Sequence, residues 1–443
     1  VPADGSRIDG DDISIDIRFS EEVIGADDSA NYILSGLGAS GITVDSVSDL
    51  GSNTYRVTMS GRARNGDLTV TISNITDLTG DPPQDDTLDY TGWWDTDWTY
   101  RRRLTFDNTS RSSNLNSFPV LVLLNSFRIN YDAVQNAGED LRFCDPDWTE
   151  LSYEIETWNE SGTSVVWVKV PRIDGSSGSD YIQMYYGNGA AADGQNTGDL
   201  WSNGYECVLH LDEAAGDFSD SSGNSRWARP DGGVTREASG KVGYGLSFDG
   251  IDDFLAMNMS YSGLGAVPEL SVSAWFNTDD NSAGVYNGNW AFVDFDRSEY
   301  YDLYVCVDAG GSTDGTLGFS TTASGSQDDF YGNTTGLYDG TWHYACGTFD
   351  GTTKSLYLDG SPDGTTAPGT GAFGSNTTRW GLIGDGSEAG AFAHPYNSVN
   401  NNAFWFTGSL DEIRVSLVTR SDDWVSAQYD SMRDTFITFG FEE

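Results

Sequence analysis

The chain has 443 residues, 68 of them acidic and 23 basic, for a formal net charge of −45. A field of that sign repels nucleic acid and anionic membrane surfaces and argues against both as partners. Gly and aromatic residues are abundant and no long run has a 3.6-residue period, so the expected class is all-β, built from several sandwiches.

Residues 1–92 form the first expected unit, with strands at 13–19, 41–48, 54–59 and 68–75 and a Pro/Asp-rich loop at 80–86. The phrases IRFSEEV, NYIL, TYRVTMSG and GDLTVTISNITDLTG resemble bacterial immunoglobulin-like domains that stand in tandem on surface proteins. That resemblance implies a spacer with no catalytic role. The opening Val1-Pro2-Ala3-Asp4-Gly5 has no signal-peptide pattern and reads as a domain edge, as expected for a piece of a larger surface protein.

The second unit, 93–202, opens on Trp93-Trp94-Asp95-Thr96-Asp97-Trp98-Thr99-Tyr100 followed by three arginines. Apolar runs place strands at 104–106, 119–124, 141–144, 152–157, 165–170 and 181–186. WTYRRRLTFDN, FPVLVLL, EDLRFCD, LSYEIETWNESG, VVWVKVPRI and YIQMYYGN resemble an uncharacterised bacterial and archaeal domain family. The resemblance implies a position directly before a laminin-G-like domain in secreted proteins. The short junction Leu200-Trp201-Ser202-Asn203 leaves little linker, so a stiff joint is expected.

The third unit, 203–443, carries six phrases of one kind: HLDE (210–213), DSSGN (220–224), LSFDGIDDF (246–254), WHYACGTFDG (342–351), LYLDG (356–360) and GSLDEIRV (408–415). Each runs a short apolar strand into an Asp/Gly turn. Together with Trp424–Tyr429 and the terminal Phe439-Gly440-Phe441-Glu442-Glu443, they resemble the concanavalin-A-like lectin/laminin-G superfamily, a jelly roll of two large sheets.

Two chemistries compete for the acid excess. Only Lys169, Lys241 and Lys354 are lysines and aspartate is spread over all units, which fits a high-salt or marine protein for most of these residues. A structural Ca²⁺ needs a handful of carboxylates bent round a loop. DSSGN is such a loop, and the laminin-G resemblance implies Asp212, Asp220, Asn224 and Asp411 as its ligands. The alternative is that Asp220 and Asn224 hold a turn through backbone N–H groups. Asp249, Asp252 and Asp253 read as a solvated hairpin.

Catalytic patterns are weaker. Glu154 and Glu156 share a strand face as hydrolase carboxylates do, but Glu160 lies past the strand end and outside the lectin-like unit. His210, His343 and His394 are far apart in sequence, against a triad or zinc site built from them. Cys144, Cys207, Cys306 and Cys346 include no C-x-x-C pair; buried free thiols compete with a bridge, for which Cys306–Cys346 is the choice. Sequons at Asn74, Asn108, Asn159, Asn258, Asn333 and Asn376 permit glycosylation.

Sugars stack on aromatic rings beside groups that read hydroxyls. Trp290, Tyr300, Tyr301, Tyr331, Trp380, His394, Tyr396, Trp405 and Phe406 lie in Asn/Gly-rich segments, with Trp290, Tyr396 and Trp405 the chosen contacts. The expected protein is a non-enzymatic extracellular adhesin or appendage component with a calcium-stabilised glycan-binding head. Its partners would be glycans or glycosylated surfaces, copies of itself or other surface proteins. The alternatives are a purely structural subunit of a surface layer, filament or viral fibre, and the accessory region of a carbohydrate-active enzyme.

Overall fold

Apolar residues build most of the strands, and the computed structural model pairs them into seven sheets among the described residues. Described are all residues except 1–6, 9–11, 37–38, 40, 62–66, 83–86, 283–288, 309–310, 324–325, 365–366, 369–372 and 393–403.

In the first unit, Asp12–Arg18, Thr54–Ser60 and Thr43–Gly51 form one antiparallel sheet. Ile13, Ile15, Ile17, Val57 and Met59 from it pack on Leu68, Val70, Ile72 and Tyr90 from a second sheet. This is a β-sandwich. The strand order does not by itself make it immunoglobulin-like.

The second unit sets Leu115–Leu124, Ser164–Ile173 and Tyr153–Thr157 in one sheet, against a four-stranded sheet of Arg142–Cys144, Tyr181–Tyr186, Tyr100–Phe106 and Ile437–Glu442. The last strand lies in the expected third unit by sequence, yet it pairs with Tyr100–Phe106. Phe436, Ile437 and Phe439 enter the second unit's core, so the boundary at 203–443 is corrected: the chain returns to the second unit to end. Just before it runs the helix Asp422–Met432, capped by Ser421 with two aspartates in its first turn. That helix was not expected. Trp424 and Ala427 face the second unit's core. Arg128 clamps Asp434 beyond the helix at 2.8 Å, and the Ser431 hydroxyl accepts the Leu121 N–H at 2.8 Å.

The third unit is two large sheets around one apolar core. The nine-stranded sheet centres on Leu270–Asn277, His343–Phe349 and Thr407–Ser416; the eight-stranded sheet centres on Phe254–Tyr261, Arg379–Ile383, Asn289–Asp294, Tyr301–Cys306 and Thr316–Ala323. The outer face of the nine-stranded sheet presents Trp275, Tyr344, Cys346 and Tyr357. These pack against Leu121, Val165 and Trp167 of the second unit, with Leu200, Trp201, Val425 and Met432 wedged between. Units two and three thus share a buried seam, as the short junction led one to expect.

All four cysteines are free and buried. Cys306 lies in the eight-stranded sheet and Cys346 on the seam face of the other, so the expected bridge is corrected: the two stand on different layers of the sandwich. The Asn108 sequon is fully buried, its amide donating to Ser113 O and Asp174 O, and is no acceptor for a glycan in the folded state.

Candidate functional site

Two polar assemblies stand out, one on each outer face of the jelly roll. The first lies inside the seam. Along Thr407–Ser416, Leu410, Ile413 and Val415 enter the apolar core. Strict alternation would send Glu412 inward with Leu410. A β-bulge prevents this: Ser273 pairs with Arg414 and Trp275 with Asp411, leaving two residues opposite one, with Glu412 at φ +51°. Asp411, Glu412 and Arg414 therefore all avoid the core. Val208 and His210, two apart at the end of Tyr205–Leu209, turn to the same side, and Leu211 at φ +66° returns the chain to the core.

From the second unit, Glu154 and Glu156 meet them. His210 Nδ1 stands 2.7 Å from Glu412 Oε1 and 3.2 Å from Glu156 Oε2, while its Nε2 is 3.5 Å from Glu154 Oε2. Arg414 Nε donates to Glu412 Oε2 at 3.0 Å, and its guanidinium lies 4.3 Å over Trp167 and 4.8 Å over Trp201. The indoles serve the carboxylates too: Trp167 Nε1–H donates to Glu156 Oε2 and Trp201 Nε1–H to Glu154 Oε2, both at 2.7 Å. Ser221 of the DSSGN loop donates to Glu154 Oε1 at 2.6 Å.

Burial works against each charge here, so the neighbours decide the protonation. Arg414 and His210 outweigh burial at Glu412 and hold it at about 2. The surrounding carboxylates likewise outweigh burial at His210 and push it well above its usual range. At Glu156 burial wins and the carboxyl is pushed well up.

Among the described residues Asp212, Asp220 and Asp411 do not gather with other carboxylates at metal-ligand spacing. Asp220 Oδ1 accepts the N–H groups of Val208 and Ser222 at 2.8 Å, and Asn224 Nδ2 donates to Tyr205 O at 2.9 Å. Both hold the turn, the alternative reading of that loop. Asp411 Oδ2 accepts the N–H groups of Lys241 and Val242. Asp212 is half-buried, and burial pushes it up to about 6. Among the described residues, carboxylates or imidazoles gather in threes at Glu156/His210/Glu412 and at Asp249/Asp252/Asp253. In the second group Asp253 accepts the N–H groups of Gly233 and Asp249, which is the expected hairpin.

Glu160 is parted from Glu154 and Glu156. It lines a cleft of about 460 Å³ on the second unit with Arg102, Phe127 and Asp132, so the three carboxylates do not share one cleft.

The second assembly lies on the outer face of the eight-stranded sheet. Tyr301, Leu303 and Val305 point into the core, which turns Asp302 and Tyr304 outward. Register aligns Asp294, Asp302, Ser320 and Asp329 in a row across four strands. Asp294 and Asp302 are fully buried, and neither oxygen of Asp302 has a hydrogen-bond partner among the described residues. Burial pushes both carboxyls well up. Nearby, Arg379 Nε donates to Asp296 at 2.5 Å, and Asp385 accepts the Phe404 N–H at 2.8 Å. Asp329 at the end of the row is exposed and Tyr331, in edge contact with Tyr304, is half-buried.

Beside the acid row is an aromatic platform in which Trp380, Phe392 and Trp405 cover Phe254, Ala256 and Leu382. Of the rings proposed as sugar contacts, Trp290 is a correction: it is 3% exposed and packs inside the sandwich near Phe406. Its strand position alternates inward, which a loop reading of Asn289–Asp294 could not reveal. Trp405 is half-buried on the outer face, 5.9 Å from Phe254. Tyr396 lies outside the described residues, as does His394. His210 and Glu412 were missed as site residues. The signal available was a charged pair, Asp411-Glu412, where alternation allows only one outward residue.

Residues 137–229 match the family model of a domain of unknown function (DUF2341), and residues 256–426 match that of the concanavalin A-like lectin/glucanases superfamily. The first match runs across the seam, from the second unit through His210 and the DSSGN loop. No curated protein matches the chain. Similar solved structures include the receptor-binding domain of botulinum neurotoxin D (10% identity, TM-score 0.38, covering 52% of this chain and 53% of that one). Another is the binding domain of Paraclostridial Mosquitocidal Protein 1 (12%, 0.39, 52% and 53%). The chain thus spans about half the length of these structures. No helix among the described residues is long and apolar enough to cross a membrane. The chain is an all-β protein in which a region matching DUF2341 is followed by one matching the concanavalin A-like lectin/glucanases superfamily.

Proposed function

We propose that the protein is a non-enzymatic extracellular adhesion or surface-appendage protein whose third unit binds glycans on the outer face of its eight-stranded sheet. One observation carries this reading: that face sets a half-buried aromatic platform, Trp380, Phe392 and Trp405, beside a row of carboxyl and hydroxyl groups ending at Asp329 and Tyr331. Rings supply the apolar faces on which sugars stack, and acids accept from their hydroxyls. The opposite face is consumed by the seam. A match to a superfamily described for lectins and glucanases supports a carbohydrate ligand. In this reading the first unit is a spacer.

A glycan array probed with the full chain, with calcium and then with chelator, tests the proposal. Binding to a defined glycan set that Trp380→Ala weakens by about 10-fold is expected; release of reducing ends from bound glycans would contradict the non-enzymatic reading. A purely structural role in a layer, filament or fibre is favoured by a different feature. Phe441, 94% exposed, stands on the edge strand Ile437–Glu442, and Phe127 nearby in the Arg102/Glu442 cleft is 87% exposed. Open edges and bare rings invite another chain. Concentration-dependent assembly in sedimentation velocity, lost in Phe441→Ser, together with an array lacking any signal, would establish that role instead.

A further inference from the structure

The seam holds more acceptors than its protons can serve. His210 Nδ1 can carry one hydrogen, yet two carboxylates face it, Glu412 at 2.7 Å and Glu156 at 3.2 Å. The second oxygen of Glu156 has no hydrogen-bond partner among the described residues, and His210 Nε2 has only the long 3.5 Å contact to Glu154 Oε2. Their side chains are 5% exposed at His210, 1% at Glu156 and 0% at Glu412, so bulk solvent does not reach them. Buried polar atoms left unpaired are costly, and a cluster of them needs an explanation.

Charge accommodates an ion. Glu154, Glu156 and Glu412 surround His210, Arg414 pairs with Glu412, and Asp411 on the flank is offset by Lys241. Two protons, on Glu156 and on the imidazole, make the group neutral; a divalent cation replaces both and leaves it neutral. The spacing suits one: ligands about 2.1 Å from an ion stand about 3.0–3.4 Å from each other, close to the gaps round Nδ1. One nitrogen and two carboxylates suit a first-row transition ion better than calcium, which takes oxygens in larger number. The outer contacts are those of a metal site as well: Arg414 orients Glu412 and Trp167 orients Glu156.

We propose that His210 Nδ1, Glu156 and Glu412 bind one divalent transition-metal ion of the zinc or manganese class, with Glu154 beside them, and that this ion clasps the second unit to the third. Glu156 comes from one unit and His210 and Glu412 from the other, so the ion is captured as the two faces close.

The test uses the full chain stripped with chelator, then Co²⁺, Zn²⁺ and Ca²⁺ added separately, with bound metal counted by mass spectrometry and Co²⁺ followed by its visible absorption. One Co²⁺ per chain is expected, displaced by Zn²⁺ but not by a large excess of Ca²⁺, with a raised melting midpoint. Glu156→Gln keeps the side-chain shape and an acceptor for Trp167, and weakens binding by about 100-fold; His210→Ala does so at least as much. Asp249→Asn, in the exposed hairpin, leaves binding unchanged. The proposal is overturned if the wild type takes up no ion and Glu156→Gln melts higher than wild type, since a proton then holds the cluster. It is equally overturned if Glu156→Gln binds as tightly as wild type or if Asp249→Asn removes the site.

Discussion

The two outer faces of the jelly roll carry polar groups of the same kind and use them in opposite ways. On the nine-stranded sheet Glu154, Glu156 and Glu412 each have a cation or an indole N–H against at least one oxygen, and two neighbouring tryptophans contact the guanidinium. On the eight-stranded sheet Asp302 is as deeply buried but has no hydrogen-bonding partner among the described residues. A buried charge that is paired serves cohesion; one held without partners is a standing cost, tolerated where a surface is kept ready for something else. The difference separates the face that joins units from the face proposed to bind glycans.

The largest effect is expected at the seam. Arg414→Ala leaves Glu412 buried and unpaired, and should destabilise the chain by about 3–5 kcal/mol in urea unfolding. A loss below about 1 kcal/mol would mean that water reaches the seam, and the contrast between the faces would collapse.

The opposite sign is expected across the sandwich. Because burial raises Asp294 and Asp302, the folded state holds their protons more tightly than the unfolded chain does. Their penalty is absent below the ordinary aspartate value of 3.8 and grows as pH rises toward the folded values. Asp302→Asn should therefore stabilise at pH 7 by about 1–2 kcal/mol and flatten the decline between pH 4 and 7. A destabilised Asp302→Asn would show that this carboxylate is already paired.

For the ligand face itself, Trp380→Ala and Tyr331→Ala should each lower glycan affinity by about 10-fold, the scale of one lost stacking contact, measured by calorimetry on an array-positive sugar. The smallest effect concerns His343, at the end of a strand of the seam-bearing sheet. Its Nδ1 is 2.9 Å from Asp359, whose hydrogen bond raises it above 6.5 against partial burial. A raised histidine contributes stability that is full below 6.5 and is lost as pH rises through the folded value. Asp359→Asn should bring the NMR titration back toward 6.5 and cost under about 1 kcal/mol.

Class and most strands were legible because alternation is local: Ser164–Ile173 and Tyr181–Tyr186 are read from their own residues. Pairing partners were not. Nothing within Ile437–Glu442 says that it joins a strand more than 300 residues earlier, so the terminal run was assigned to the wrong sandwich. The helix Asp422–Met432 had a readable start in Ser421-Asp422-Asp423, but its two apolar faces, one to each unit, blur the period that would reveal it. Site residues failed for a related reason. DSSGN looked like a cation loop because the same Asp and Asn types hold turns, and only geometry tells the two apart. His210 hid in a strand-like phrase, since its significance comes from Glu156 and Glu412, which arrive from elsewhere. The outer-face row Asp294–Asp302–Ser320–Asp329 exists only in the register of four strands.

Hydrogen–deuterium exchange on the full chain, with and without an array-positive glycan, tests the central claim most directly. Added protection is expected in Phe254–Tyr261, Thr316–Ala323, Ser326–Tyr331 and Arg379–Ile383, with the seam strands Tyr153–Thr157 and Thr407–Ser416 already slow and unchanged. Protection confined to the seam strands or to the first unit would contradict the account.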